Sequence, residues 1–194
     1  MAERELQKRV FIRWCRIRDL EFVLFELNSL VGLAGVKQEV LTNINLLKIN
    51  NMRKEKGLPE LHTSCHMVFT GQSGTSKTTV ARIMAKIYKA LGVVSKGHLV
   101  ETDRSGMVAG YVGQTALKTA QIIKKAKGGV LFVDEAYTLS SEDGSLDYGK
   151  EAIYTLVNGM ENYRDDLVVI VAGYTSKIYL TAAVWTERGS WGNN

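Results

Sequence analysis

Two short runs of residues, Val130–Val133 and Leu167–Ala172, contain only apolar side chains. An unbroken apolar strand is typical of a parallel sheet that helices cover on both faces, because a strand with one wet face alternates polar and apolar residues. Met67–Phe69 forms a third apolar run that ends before Gly71, and His98–Glu101 is compatible with a further short strand. The sequence therefore predicts a buried parallel sheet.

Helical patterns lie between these apolar runs. Apolar residues recur at helical spacing in four segments, namely Val36 to Leu47, Val80 to Leu91, Leu117 to Ile123 and Ile153 to Met160. Strands that alternate with helices of this length form right-handed βαβ units, which bury a parallel sheet between helical layers. The predicted fold class is therefore α/β.

The composition excludes several classes of protein. The chain has 194 residues, of which 45% are hydrophobic and 23% are charged, as in an ordinary globular domain. Its longest apolar stretch, Leu20–Val36, is interrupted by Glu21, Glu26 and Asn28, so it is too polar to span a membrane. The first residues also lack the apolar core of a secretory signal. We expect a soluble, cytoplasmic protein without membrane insertion.

Basic residues are concentrated at the beginning of a chain whose formal net charge is +5. They are Arg4, Lys8, Arg9, Arg13, Arg16 and Arg18. Such a cluster could form an arm that binds nucleic acid. Acidic residues are interleaved with these basic ones, however, which is the pattern of a solvated helix face. The solvated face is the favoured interpretation, and a nucleic-acid partner is not expected.

A glycine-containing loop connects the first predicted strand to a strongly amphipathic helix. It consists of Gly71, Gln72, Ser73, Gly74, Thr75, Ser76, Lys77 and Thr78, and we call it the phosphate loop. Backbone N–H groups of such a loop can surround an anion, and the following helix presents its positive end. Lys77 would reach the β- and γ-phosphates of ATP, and the Thr78 hydroxyl would ligate Mg²⁺. The alternative is a polar loop with a solvated lysine, but the strand–loop–helix context favours nucleotide binding.

Two adjacent carboxylates, Asp134 and Glu135, follow directly after the apolar run Val130–Val133. Two charged side chains at the end of a buried strand cost free energy of desolvation unless a cation or a substrate binds to them. In nucleotide hydrolysis Asp134 would hold Mg²⁺ through water, and Glu135 would orient the attacking water. An apolar run ending in Asp-Glu is weak evidence alone. Together with the phosphate loop it makes Glu135 and Lys77 the candidate catalytic residues.

From Leu27 to about Thr175 the chain resembles the AAA+ ATPases of the CbbX and stage V sporulation protein K family, which includes red-type Rubisco activases. The amino-acid sequence of these segments resembles the sporulation-type members in particular. The resemblance rests on the segments Leu30–Lys37, His66–Gly71, Gly110–Thr115, Asp134–Tyr137, Asp147–Ala152 and Val171–Tyr174. It implies a three-layer P-loop NTPase core. It also implies ATP hydrolysis that drives the remodelling of a protein partner by a homo-oligomeric ring.

The resemblance also assigns roles to two segments outside the phosphate loop. Val31 and Gly32 would contact the adenine base. Tyr111, Val112 and Gly113 would belong to a pore loop whose aromatic ring grips a threaded polypeptide. An aromatic residue in a glycine-flanked loop can equally pack against its own domain, so both interpretations of Tyr111 stay open.

The resemblance divides the chain into three parts. Residues 1–26 would form a basic and apolar N-terminal helix or arm, residues 27–175 the AAA+ core, and residues 176–194 a divergent C-terminal tail. In the family an arginine-bearing segment, a fifth core strand and a helical lid domain follow. The tail shows none of these, so we expect the lid to be absent and the core to be truncated after its fourth strand. The strand before the phosphate loop would then be an exposed edge, and Leu20–Phe25 could pair with it.

Ser76 occupies a position where the phosphate-loop pattern asks for glycine, which adopts dihedrals costly for other residues. We therefore expect nucleotide binding to be weakened by about 1–3 kcal/mol. This departure, together with the missing arginine-bearing segment, supports an alternative function, a hydrolysis-deficient nucleotide-binding or interaction module. A nucleic-acid-associated ATPase is a less favoured alternative. The residues His62, Cys65 and His66 fall short of a closed zinc set, so we expect no metal other than Mg²⁺.

Overall fold

The computed structural model of the chain describes residues 18–59, 61, 64–72, 74–111, 113–140 and 148–175. The predictions for Ser73, Val112 and His62 therefore lie outside the described residues. Residues 1–17 and 176–194 lie outside them as well, so the division of the chain into arm, core and tail stays a prediction.

Four parallel strands form one sheet in the order β1-β4-β3-β2. They are β1 (Met67–Thr70), β2 (Leu99–Thr102), β3 (Val130–Val133) and β4 (Val168–Gly173). The two fully apolar runs became the central strands β3 and β4, in which every residue is buried. This confirms the predicted parallel sheet and the α/β fold class. Strands β2 and β4 each begin and end one residue later than the sequence predicted.

Helices connect the strands and cover the sheet. They are α1 (residues 18–29), α2 (Ala34–Glu55), α3 (Lys77–Leu91), α4 (Arg104–Met107), α5 (Gln114–Ala126) and α6 (Tyr148–Asn162), with a 3₁₀ helix over Ala136–Ser140. The four predicted helices correspond to α2, α3, α5 and α6. Within the described ranges, no helix is both long and apolar enough to cross a bilayer.

The core is divided into two layers by the sheet. Because successive side chains of a strand point to opposite faces, Phe132 packs in one layer and its neighbour Leu131 in the other. The first layer joins the sheet to α1, α2 and α3, and the second joins it to α5 and α6. The chain thus forms a three-layer α/β/α sandwich, whose strands end at one common edge.

Strand β1 lies at an edge of the described sheet. The hypothesis that Leu20–Phe25 pairs with this edge is wrong, because these residues belong to helix α1. Leu20, Val23 and Leu27 recur at helical spacing and are 7%, 5% and 1% exposed. Helical periodicity therefore buries one face of α1 against the core, a packing that an extended strand would lose.

Candidate functional site

A cavity of about 320 Å³ opens at the carboxyl ends of β1, β3 and β4. It is lined by Gly71, Gly74, Thr75, Ser76, Lys77, Thr78, Thr79, Asp134, Glu135, Gly173 and Tyr174. The described phosphate-loop residues other than Gln72 therefore share one cavity with the two carboxylates that follow β3. Ligands of open parallel sheets bind at this edge, outside the carboxyl ends of the strands.

The phosphate loop is attached to the sheet at its first residue. The Gly71 N–H donates to the carbonyl of Gly173 in β4 at 3.1 Å. Further along, the Thr75 hydroxyl donates to the Gln72 carbonyl at 2.7 Å and braces the loop from within. The loop then passes directly into α3, whose N-terminal N–H groups carry partial positive charge. This arrangement suits the binding of a phosphate chain.

Lys77, the first residue of α3, folds its side chain back over the phosphate loop. Its Nζ donates to the carbonyls of Gly71 at 3.1 Å and of Gln72 at 2.8 Å. Both acceptors are neutral, and a hydrogen bond from an ammonium group to a phosphate anion is stronger than one to a neutral carbonyl. The Lys77 ammonium group can therefore turn from the loop carbonyls to phosphate oxygens.

Ser76 takes the left-handed conformation that a glycine would take without cost. It is the N-cap of α3, with φ 61° and ψ 19°, and its side chain makes no capping hydrogen bond. Its carbonyl accepts the first turn's hydrogen bond from Val80 N at 2.9 Å. A side chain in this region costs about 1–2 kcal/mol, because Cβ approaches the following carbonyl oxygen. The serine therefore leaves the shape of the loop intact at the cost of strain.

Asp134 and Glu135 form a turn, which we call the acidic turn. The Asp134 N–H donates to Thr102 O of the neighbouring strand at 2.8 Å, and Asp134 Oδ1 accepts from Glu135 N at 2.9 Å. Asp134 is half-buried, whereas Glu135 is exposed and has φ 48°. The Glu135 carbonyl accepts from both the N–H and the hydroxyl of Thr138, each at 2.8 Å. These bonds fix the Asp134 carboxylate and the backbone of Glu135.

Oxygen atoms that suit Mg²⁺ line the cavity on two sides. The Thr78 hydroxyl belongs to α3, and the Asp134 carboxylate belongs to the acidic turn. In the part of the chain that the structure describes, no group of three or more His, Cys, Asp or Glu side chains could hold a metal. Mg²⁺ in nucleotide enzymes takes only one or two protein ligands besides phosphate oxygens and water. The donor set therefore fits Mg²⁺ bound together with a nucleotide.

Tyr174, directly after β4, lines the cavity but was not among the predicted site residues. Its ring centroid lies 5.7 Å from that of Tyr137, at an interplanar angle of 49°. The pKa of Tyr137 is raised, first by desolvation and then by the nearby Glu135 carboxylate. The sequence signals for Tyr174 were its position after an apolar strand and its place in the family-like segment Val171–Tyr174.

Two predicted segments do not line this cavity. Val31 and Gly32 lie between α1 and α2, and the Val31 side chain is 98% exposed. Tyr111 lies between α4 and α5 and is 73% exposed, so the alternative that it packs against its own domain does not hold. Gly113 caps α5 with φ 77°. An adenine contact and a pore loop stay proposals.

Comparison with known proteins identifies the architecture. Residues 67–188 match the family model described as ATPase family associated with various cellular activities (AAA), which is more than half of the chain. The chain belongs to the AAA family of ATPases. The match includes the whole phosphate loop and the acidic turn of this AAA domain, in agreement with the cavity described above.

Curated relatives of this AAA chain include activase-type proteins. It is 48% identical over 161 residues to a chloroplastic ribulose bisphosphate carboxylase/oxygenase activase of Cyanidioschyzon merolae, which covers 82% of this chain and 55% of that protein. It is 49% identical over 157 residues to protein CbbX of Cereibacter sphaeroides, covering 80% and 51% respectively. The chain thus spans about half the length of these relatives. These relatives support the predicted membership of the CbbX family, and they do not support a relationship to sporulation proteins.

A solved structure of the AAA domain of FIGL-1 in complex with ADP is also similar to this AAA chain. The TM-score is 0.50 and the sequence identity 21%, over 74% of this chain and 46% of that one. At this identity the likeness shows the fold alone. The P-loop NTPase architecture predicted from the sequence is therefore confirmed.

Proposed function

We propose that the chain binds ATP with Mg²⁺ in the cavity at the carboxyl edge of the sheet and hydrolyses it to ADP and phosphate. The observation that carries this proposal is the convergence of Lys77, Thr78, Asp134 and Glu135 on one cavity. The phosphate loop supplies a positive charge, and the acidic turn, far away in the sequence, supplies two negative charges. Phosphate groups suit the positive charge, and the Mg²⁺ bound to them suits the negative charges.

The phosphate loop and α3 would bind the triphosphate. Backbone N–H groups of the loop and the N-terminus of α3 would contact phosphate oxygens, and Lys77 would leave the loop carbonyls to reach the β- and γ-phosphates. Thr78 and Asp134 would hold Mg²⁺, which supplies charge neutralisation at the transferred phosphate. In addition, Val31 and Gly32 would contact the adenine base from the segment between α1 and α2.

Glu135 would act on the attacking water. Its exposed carboxylate lies at the cavity, and the hydrogen bonds from Thr138 fix its backbone. The carboxylate accepts a proton from the water while a bond forms between the water oxygen and the γ-phosphorus. The bond from the γ-phosphorus to the β,γ-bridging oxygen breaks, and ADP and phosphate leave. The Glu135 carboxylate supplies the base in this step.

Hydrolysis would serve the remodelling of a protein partner by a ring of identical chains. The exposed ring of Tyr111, which Val112 and Gly113 follow in the sequence, would contact that partner. The name of one relative points to ribulose bisphosphate carboxylase/oxygenase, so this enzyme is the first partner to test. Acceleration of ATP hydrolysis by the partner in the unaltered chain, but not in Tyr111→Ala, would support this assignment.

The experiment that tests hydrolysis compares phosphate release by the unaltered chain and by Glu135→Gln. The substitution keeps the size of the side chain but removes the carboxylate that orients the water. We expect ATP binding to persist and release to fall to background. Glu161→Gln, which changes an exposed glutamate at the end of α6, is the matched control and should release phosphate normally. Release that is equal in all three proteins would refute the assignment of Glu135.

No comparison supports the hydrolysis-deficient alternative, for which Ser76 is the departure within the described residues. It predicts ATP binding without phosphate release above background in the unaltered chain. The nucleic-acid alternative depends on basic residues of which all but Arg18 lie outside the described residues. It predicts DNA affinity that falls steeply with salt and is lost when residues 1–18 are removed.

A further inference from the structure

Arg104, the first residue of α4, contacts the segment that follows the acidic turn. Its Nη1 donates a hydrogen bond to the main-chain carbonyl of Thr138 in the 3₁₀ helix. The residue is half-buried and does not line the cavity. An arginine held against a carbonyl so near the acidic turn can act on that turn without touching a nucleotide.

Thr138 transmits this contact to Glu135. Both the N–H and the hydroxyl of Thr138 donate to the Glu135 carbonyl at 2.8 Å. Glu135 has φ 48°, a conformation that costs a non-glycine residue free energy and persists only where its surroundings hold it. Arg104 holds the carbonyl of Thr138, and the N–H and hydroxyl of Thr138 hold the Glu135 backbone. The three residues thus form one chain of hydrogen bonds.

Arg104 itself is held in place by the start of α4. The Asp103 side chain caps this helix, accepting from Gly106 N at 2.9 Å and from the Ser105 hydroxyl at 2.7 Å. These donors stabilise the carboxylate and lower the pKa of Asp103. From α5, the Thr119 hydroxyl donates to Met107 O at 3.2 Å. Helix α4 is therefore anchored at both ends, which gives Arg104 a fixed base.

The first turn of α6 closes the other side of Arg104. A Cβ at Gly149 would collide with the carbonyl of Leu139 and would lie 3.0 Å from Arg104 Nη1. Because α6 approaches so closely, the guanidinium group has little room to leave the 3₁₀ helix. The contact with Thr138 is thus built into the packing of three elements.

We propose that Arg104 is a positioning residue that holds Glu135 through Thr138. The inference rests on the proposed hydrolytic function of the cavity. Loss of the guanidinium group releases the Thr138 carbonyl, loosens the 3₁₀ helix and lets the Glu135 carboxylate leave the direction in which it orients water. Nucleotide binding persists, because Arg104 is not among the residues that line the cavity with Lys77 and Thr78.

The kinetic test measures kcat and KM for ATP hydrolysis by Arg104→Met. We expect kcat to fall about tenfold, the effect of losing one charge-assisted hydrogen bond that serves the transition state, while KM stays within about twofold. Arg104→Lys keeps a cationic donor and should recover part of the loss. Arg53→Met is the matched control, since Arg53 Nε also donates to a main-chain carbonyl, that of Pro59 at 2.9 Å.

Two kinetic results would overturn the inference. One is a raised KM with an unchanged kcat in Arg104→Met, which would mean that Arg104 serves binding. The other is an equal fall in kcat for Arg53→Met, which would mean that the loss reflects general destabilisation. If Arg104→Met fails to fold, the same comparison is made with Arg104→Lys, whose kcat should lie below that of the unaltered chain.

Hydrogen exchange separates the inference from the proposed function. The amide of Thr138, which donates to Glu135 O, should exchange faster in Arg104→Met than in the unaltered chain and unchanged in Arg53→Met. If the unaltered chain releases no phosphate but exchange accelerates, the proposed function fails while Arg104 still holds the acidic turn. Unchanged exchange at Thr138 would refute the positioning role, whatever the rate of hydrolysis.

Discussion

Replacing Ser76 with glycine should stabilise the chain and tighten its binding of ATP, for two separable reasons. Ser76 stands in the left-handed region at φ 61°, where its Cβ is strained. The same Cβ and its hydroxyl extend from a loop whose backbone must approach phosphate oxygens closely. Glycine removes both the strain and the bulk.

The two effects have different magnitudes and different observables. A non-glycine residue in the left-handed region costs about 1–2 kcal/mol, from which about 0.5–1 kcal/mol is subtracted for the greater freedom of glycine in the unfolded chain. The net gain of about 1 kcal/mol corresponds to a rise in Tm of about 3 °C for a chain of this length. The backbone strain at Ser76 is present both in the free protein and in the nucleotide complex, so it does not change the binding free energy. Relief of crowding at the phosphates should lower the Kd about tenfold, as for other overpacked contacts.

The assay is thermal unfolding and calorimetric titration with Mg²⁺ and ATP on the unaltered chain, Ser76→Gly and Ser76→Ala. Alanine is the matched control because it removes the hydroxyl but keeps Cβ and therefore the strain. We expect the rise in Tm for glycine alone. An unchanged Tm and an unchanged Kd in Ser76→Gly would refute the reasoning from the left-handed dihedral.

Two further predictions concern stability. His66 Nδ1 accepts a hydrogen bond from Val169 N at 2.9 Å, and burial lowers the pKa of His66 to about 4. Neutral His66 therefore contributes about 3 kcal/mol to the free energy of unfolding above pH 6.5, and this contribution is lost as the pH falls towards 4. Urea unfolding of His66→Gln should lack this part of the pH dependence. Gly149→Ala should lower the free energy of unfolding by about 1–3 kcal/mol, because Cβ meets the Leu139 carbonyl. Gly35→Ala, with nothing within 4 Å, should not destabilise the chain in the same denaturation assay.

The fold was predictable where side-chain patterns are long or unbroken. Strand β3 has the bounds that its apolar run predicted, and Gly92 ends α3 with φ 77° as a terminating glycine should. Helix α4 was not predicted, because a helix of four residues shows no periodicity. The predicted pairing of Leu20–Phe25 with β1 was wrong because Leu20, Val23 and Leu27 recur at helical spacing and bury one face of α1.

The candidate site was predictable to the extent that topology determines it. Parallel strands end at one edge, so a loop after β1 and two carboxylates after β3 had to lie near each other. The left-handed conformation of Ser76 followed from the glycine that the loop pattern asks for. The hydrogen bond from Arg104 to Thr138 was not predictable, because it depends on how closely α4, α6 and the 3₁₀ helix pack.

Calorimetric titration of the purified chain and of Lys77→Ala with Mg²⁺ and ATP tests directly whether the phosphate loop binds nucleotide. We predict saturable binding by the unaltered chain that falls by at least about 100-fold in Lys77→Ala, since the variant loses its charged contact with the β- and γ-phosphates. Circular dichroism confirms that both proteins are folded. Equal binding by both proteins, or none by the folded unaltered chain, would contradict a working phosphate loop.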